Sequence, residues 1–305
     1  MRTEAYDRLL SDLGSTFRPQ REWVDGRGLY LIVGHFLSGV GAGTWLFSLL
    51  FDVGPGLAVA IAAVGLGGLA HLLFLGRPSR FWRMVKVRTS WIGRGFVGMI
   101  LFVAGAVLYA LPRLAPGVPW AADDAVGRLG LAASLAGMAI LMVYKGNVYA
   151  ASKGVPFWNS PLLPVLYIAY SLRAGVATLL VLFPFAGTPE HADLAGVIEL
   201  WIAVSAAVMV AFYLGVMRHT NVAARRSVTE LTAGRAAGPF YLGTVAAGLV
   251  VPIGVGLVGF LHPLSLAVLA LVGALSLVGD FFAKYTIAKA GIYVPVLPAG
   301  VAAAR

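Results

Sequence analysis

GLYLIVGHFLSGVGAGTWLFSLLF, residues 28–51, runs for 24 residues without an Asp, Glu, Lys or Arg. A hydrocarbon core about 30 Å thick is crossed by about 20 helical residues. A stretch this long and this apolar reads as a membrane span. In lipid at that length, helix is the backbone that satisfies its own hydrogen bonds. Seven more apolar segments follow, each bounded by charge, Gly or Pro, at 55–75, 92–111, 128–150, 161–186, 193–217, 239–261 and 263–288. Pro252 sits inside the seventh and predicts a kink. Only Leu261, His262 and Pro263 separate the last two, which predicts a tight turn. The expected fold class is all-α: a polytopic membrane protein of eight transmembrane helices, arranged as two four-helix bundles joined by the loop at 151–160. Tails at 1–27 and 289–305 are expected to flank a membrane domain at 28–288.

Composition agrees. The chain is 59% hydrophobic and 12% charged, whereas an ordinary soluble domain carries about 25% charged residues. Residues 1–27 are polar and charged, so no cleavable signal peptide is expected. The net charge of +10 would suggest nucleic acid in a soluble protein; here it reads as topology information, and no nucleic-acid partner is expected. Twenty of the 23 Lys and Arg fall in the tails and in alternate loops, counting Lys145 and Lys284 at segment ends. The opposite loops hold only Arg113 and Arg128 and carry Asp52, Asp123, Asp124, Glu190 and Asp193. The positive-inside rule then predicts cytoplasmic termini at both ends. The absence of cysteine excludes a disulfide, a thiolate-bound metal and a Cys-ligated iron–sulfur cluster from this chain.

Several polar residues stand out because intramembrane ionisable groups are functional candidates. His35 lies seven residues into the first segment, roughly 10 Å deep at about 1.5 Å per residue. His71 lies near the same end of the second segment, on the face that also holds Asn147. Two such imidazoles could ligate a haem, hold a quinone carbonyl, or bond a backbone carbonyl within the bundle. Asp280 and Lys284 are four apart on the last segment. They read either as a self-neutralised pair with Lys284 reaching outward, or as a proton donor and acceptor beside a redox ligand. Glu199 reads as an interfacial residue or as part of a proton route. Arg173 falls near mid-membrane, where a charge must face protein or water and have a partner. The small residues Gly34, Ser38, Gly39, Gly41, Ala42, Gly43 and Thr44 suit close helix packing or clearance for a ligand.

Two loops on the basic side combine arginines, aromatics and rigid turns: HLLFLGRPSRFWRMVKVRTSWIGRG at 71–95 and YKGNVYAASKGVPFWNSPLLP at 144–164. Arg77, Arg80, Trp82, Trp91 and Arg94 suit a docked protein partner as well as an interfacial belt.

At GHFLSGVGAGTWLF, HLLFLGRPSRFW, SWIGRG and GVPFWNSPLLP the chain resembles the membrane subunits of polysulfide reductase and its relatives, the NrfD/PsrC family, with the dimethyl sulfoxide reductase anchor as a cousin. The resemblance implies a haem-free anchor in a prokaryotic cytoplasmic (inner) membrane. Such an anchor binds a quinone (menaquinone or ubiquinone) near the face where an iron–sulfur, ferredoxin-like subunit docks. That subunit wires the quinone to a molybdopterin catalytic subunit, so this chain would be a quinone-site or non-catalytic subunit. The resemblance also implies that His71 is quinone-linked and that Trp158 and Asn159 shape the same pocket. His35, Asn147, Asp280 and Lys284 join them as candidate cofactor-binding residues, and Asp280, Arg173 and Glu199 as candidate proton-transfer residues. In many relatives the catalytic partner lies outside the cytoplasm. Here the motif-bearing loops share the basic side, which places the partner in the cytoplasm, as in the family's sulfite-dehydrogenase-like branch. Two rivals stand: a transporter or channel built on Arg173 and Glu199, and a haem b quinol-oxidising subunit.

Overall fold

Eight helices long and apolar enough to cross a membrane appear in the computed structural model, which describes residues 17–186 and 189–295. They are α1 (Gly28–Leu50), α2 (Gly54–Phe74), α3 (Trp91–Leu114), α4 (Ala125–Ala150), α5 (Leu162–Ala186), α6 (Ala192–Thr220), α8 (Ala237–Gly259) and α9 (Leu266–Lys289). Each boundary falls within three residues of the one read from the sequence. The outer parts of both expected tails, with Arg2, Arg8 and Arg305, lie outside the described residues.

Polar residues cap three of the spans, because their side chains accept from backbone N–H groups that the first turn leaves unpaired. Ser90 caps α3 through Gly93 N, and Asp124 caps α4 through Gly127 N. Ser265 caps α9 through Val268 N.

The first bundle contains α1–α4 and the second α5, α6, α8 and α9. The seam between them is α1 against α5, the two most buried spans. The glycines of α1 serve close packing here. A Cβ on Gly43 would collide with the Ser171 carbonyl oxygen, and one on Gly175 would collide with the Gly43 backbone.

Three features are additional to the sequence reading. A short amphipathic helix, α7 (Val222–Thr232), lies on the basic side and buries Ala223, Ala224, Val228 and Leu231. Strand β1 (Arg18–Pro19) pairs antiparallel with β2 (Ile292–Tyr293). The segments before α1 and after α9 therefore meet on one face, as an even number of crossings requires. Third, α8 is not simply kinked at Pro252: Phe240–Val250 is π-helical and Val251–Gly259 α-helical. In α-helical geometry the donor to the Gly248 carbonyl would be residue 252, and proline has no N–H. Arg173 of α5 donates to that carbonyl instead.

Candidate functional site

His71 is one turn from the basic end of α2. Its Nδ1–H donates to the Gly67 carbonyl at 2.7 Å, which leaves Nε2 as the acceptor in the neutral ring. Nε2 faces the Tyr144 hydroxyl of α4 at 3.5 Å, and that hydroxyl lies 3.4 Å from Ser38 Oγ of α1. His35 completes the group. Its ring lies 5.2 Å from His71, 5.9 Å from Tyr144 and 5.6 Å from Tyr149, centroid to centroid. The residue is buried, and its Nδ1 has no hydrogen-bond partner among the described residues. Glycine makes this assembly possible at two places. A Cβ on Gly34 would strike the His71 imidazole, and one on Gly95 would strike the Tyr144 ring.

These polar groups border a cavity of about 280 Å³. His35, His71, Tyr144 and the indole of Trp23 are its polar side chains, and the remainder is apolar, including Phe74, Met84 and Phe96. Met84 ends the 3₁₀ turn Pro78–Met84 that lies over the cavity on the basic face. A small polar-headed, otherwise apolar ligand matches this lining.

A second polar cluster lies deeper. Arg173, eleven residues into α5 and so about 16 Å from its start, is fully buried. Its Nε donates to Glu199 Oε1 at 3.0 Å and its Nη1 to Asp280 Oδ1 at 3.1 Å. Its Nη2 donates to Ser276 Oγ at 2.8 Å and to the Gly248 carbonyl. Ser276 in turn donates to Glu199 Oε1 at 2.6 Å. Glu199 Oε2 and Asp280 Oδ2 have no partner among the described residues. The sequence offered an interfacial reading for Glu199 and a self-neutralised Asp280–Lys284 pair. The structure replaces both: Glu199 is 1% exposed, and Asp280 bonds to Arg173.

Lys284 does not reach outward either. It is buried, its Nζ lacks a hydrogen bond among the described residues, and it lies 5.1 Å from the Tyr170 ring centroid and 5.7 Å from that of Phe36. Lys145, counted from the sequence with the basic face, is likewise buried, and its Nζ donates to Ser171 Oγ at 3.1 Å. The two lysines converge at Gly39, where an added Cβ would sit 3.0 Å from Lys145 Nζ and 3.9 Å from Lys284 Cε. Polar groups thus run from Tyr144 and Ser38, past both lysines, to Asp280, Arg173 and Glu199. Glu199 borders a cavity of about 310 Å³ near the opposite face, with Asp193 and His262.

Of the residues singled out in the sequence, His35 and His71 share one cavity, Asp280, Arg173 and Glu199 form the deeper cluster, and Lys284 lies one turn from Asp280 on α9 without bonding to it. Asn147, Trp158 and Asn159 border neither. The Asn147 amide donates to Val143 O and that of Asn159 to Ala150 O. Trp158 donates to Ile287 O at 2.9 Å and sits against Trp23 and Tyr149, holding the 151–160 loop to α9. On the surface, Arg77, Arg80 and Trp82 are exposed, with Trp82 60% exposed. Trp91 and Arg94 hold their own loop: the guanidinium lies 4.2 Å from the Trp91 ring centroid and donates to Val87 O and Arg88 O. The site roles of Tyr144, Lys145, Ser171 and Ser276 escaped the sequence reading, since a hydroxyl or an amine within an apolar span carries no mark of which neighbour it faces.

Fold and cavity together define a multi-pass membrane protein with a buried histidine–tyrosine site near one face. The chain belongs to the family described as Polysulphide reductase, NrfD, whose model matches residues 27–296. It is 29% identical over 236 residues to Protein NrfD of Escherichia coli (strain K12), covering 70% of this chain and 72% of that protein. It is 24% identical over 254 residues to the C subunit of polysulfide reductase from Wolinella succinogenes, covering 72% of this chain and 78% of the relative.

Proposed function

We propose that this chain is the membrane anchor of a redox complex and that it binds a quinone in the cavity between His35, His71 and Tyr144. One observation carries the reading: an imidazole and a phenol hydroxyl converge on an otherwise apolar cavity, beneath an exposed arginine–tryptophan turn. Tyr144 donates to a quinone oxygen, and His71 Nε2 accepts from the corresponding quinol hydroxyl. His35, with its unpartnered Nδ1, is placed for the ring or for the second oxygen. The 5.2 Å separation of the two imidazoles favours a shared small ligand over a haem between them.

Interconversion of quinone and quinol moves two electrons and two protons. The electrons pass through the basic face to or from clusters of a docked iron–sulfur subunit, which Arg77, Arg80 and Trp82 receive and which a molybdopterin catalytic subunit completes. The protons move by way of Ser38, Lys145, Lys284 and the Asp280–Arg173–Glu199 cluster, buried groups that succeed one another from the cavity towards the opposite face. The Lys and Arg asymmetry supports a prokaryotic cytoplasmic membrane with both termini cytoplasmic.

The test is His71→Ala in the assembled complex. Quinone-coupled turnover should be lost, while the partners remain bound and still reduce a soluble dye. Unchanged quinone turnover, or loss of assembly, overturns the assignment.

A further inference from the structure

We infer that the cleft between α2 and α3 is the channel for the isoprenoid tail of the quinone, an inference that rests on the quinone reading above. The cleft has a volume of about 540 Å³ and faces the membrane. It adjoins the histidine–tyrosine cavity, with which it shares His71, Met84, Phe96 and Met99 as lining residues. From there it descends along Gly68 and Gly65 of α2 and Ile100 and Val103 of α3. Gly65 is six residues from His71, about 9 Å along the helix, so the cleft leads from the cavity towards the middle of the bilayer.

The glycines of this face differ from those at the helix seams. A Cβ on Gly65 would meet nothing within 4 Å, and one on Gly68 only Met99 Sδ at 4.0 Å. Their missing side chains open space on a lipid-facing surface instead of letting two helices touch. Leu69, 52% exposed, and Ile100, 53% exposed, supply apolar walls.

The polarity of the whole space selects the occupant. Its polar end is the inner, buried one, and its apolar end opens into the membrane. A phospholipid has the opposite need: its charged headgroup must stay at the surface, and the histidine–tyrosine cavity has no Lys or Arg among its lining residues to receive it. A ligand with a compact neutral head and a long branched hydrocarbon tail fits both ends.

Gly65→Phe fills the cleft without touching His35, His71 or Tyr144. In the assembled complex it should raise KM about tenfold for a long-tailed quinone, the size of a lost apolar contact. KM for a tail-less analogue and kcat for both should stay near wild type. Gly215→Phe is the control, because Gly215 is another lipid-facing glycine with nothing within 4 Å and lies on α6, away from the cleft. Leu69→Trp carries the same test should Gly65→Phe fail to assemble. Equal effects on both quinones, or no effect on either, overturn the tail channel and leave the head-group site standing. A wild-type complex that turns over neither quinone removes both readings.

Discussion

Arg173 makes sense only as the centre of its cluster. A guanidinium near mid-membrane is tolerated when each of its nitrogens finds an oxygen, and here two carboxylates, a serine hydroxyl and the Gly248 carbonyl receive it. Its removal leaves Glu199 and Asp280 buried and unpaired. Losing one partner of such a network costs about 3–5 kcal/mol. Arg173→Ala should therefore lower the thermal midpoint of the complex steeply in a detergent melt. Asp280→Asn keeps an oxygen facing Nη1 and removes one negative charge, so its midpoint should stay close to wild type. Comparable losses in both variants would show that the cluster is not organised around the guanidinium. The sequence marked all three ionisable members as candidates, but it left their pairing open. Arg173, Glu199 and Asp280 lie on three different helices, and on helices apolar all round no periodicity tells which way each residue faces.

At the scale of elements, the spans are legible because their cause is local: about twenty apolar residues can do little else in lipid. The features that escaped have non-local causes. The β1–β2 pair joins residues more than 270 positions apart, and α7 is short and polar on one face, so neither offers a long apolar run. The start of α4 is set by local chemistry again. The Asp124 side chain accepts from Gly127 N and Ala121 N, both at 2.9 Å. The Gly127 N–H is the main reason its carboxyl is held below the ordinary carboxylate value, with Ala121 next. A carboxyl with a depressed folded pKa stabilises the fold above its unfolded value, about 4, and loses that contribution as pH falls through the folded value. The thermal midpoint should fall as the solution is acidified below about pH 4. Asp124→Asn caps the helix without titrating, so it should flatten that part of the profile. An unchanged acid profile in the variant would show that the cap does not report on stability.

The whole molecule is polarised across the membrane, and the proposed function depends on that polarity. The histidine–tyrosine cavity, the arginine-rich turn, α7 and the β1–β2 pair share one face; Asp52, Asp123 and the cavity beside Glu199 share the other. Moving Lys145 and Lys284 from the basic face into the interior leaves the sorting intact, because Arg77, Arg80, Arg83, Lys86 and Arg88 still crowd one loop while Asp123 and Asp124 occupy another. The proposed electron path from quinone to a docked subunit needs the cavity and the turn on the same face, and the topology proposed from the positive-inside rule puts that face in the cytoplasm. The chain has no cysteine, so a single introduced thiol is its only site for a maleimide. Arg80 and Asp123 are both exposed and lie on opposite faces. Arg80→Cys should react with a membrane-impermeant maleimide in inverted vesicles but not in intact cells, and Asp123→Cys should do the reverse. Docking of the partner should protect Arg80→Cys and leave Asp123→Cys reactive. Labelling of Arg80→Cys from outside intact cells would move the partner and the quinone head group to the outer side and the Glu199 end of the proton route to the inner side, since the fold ties the first two to one face and the last to the other.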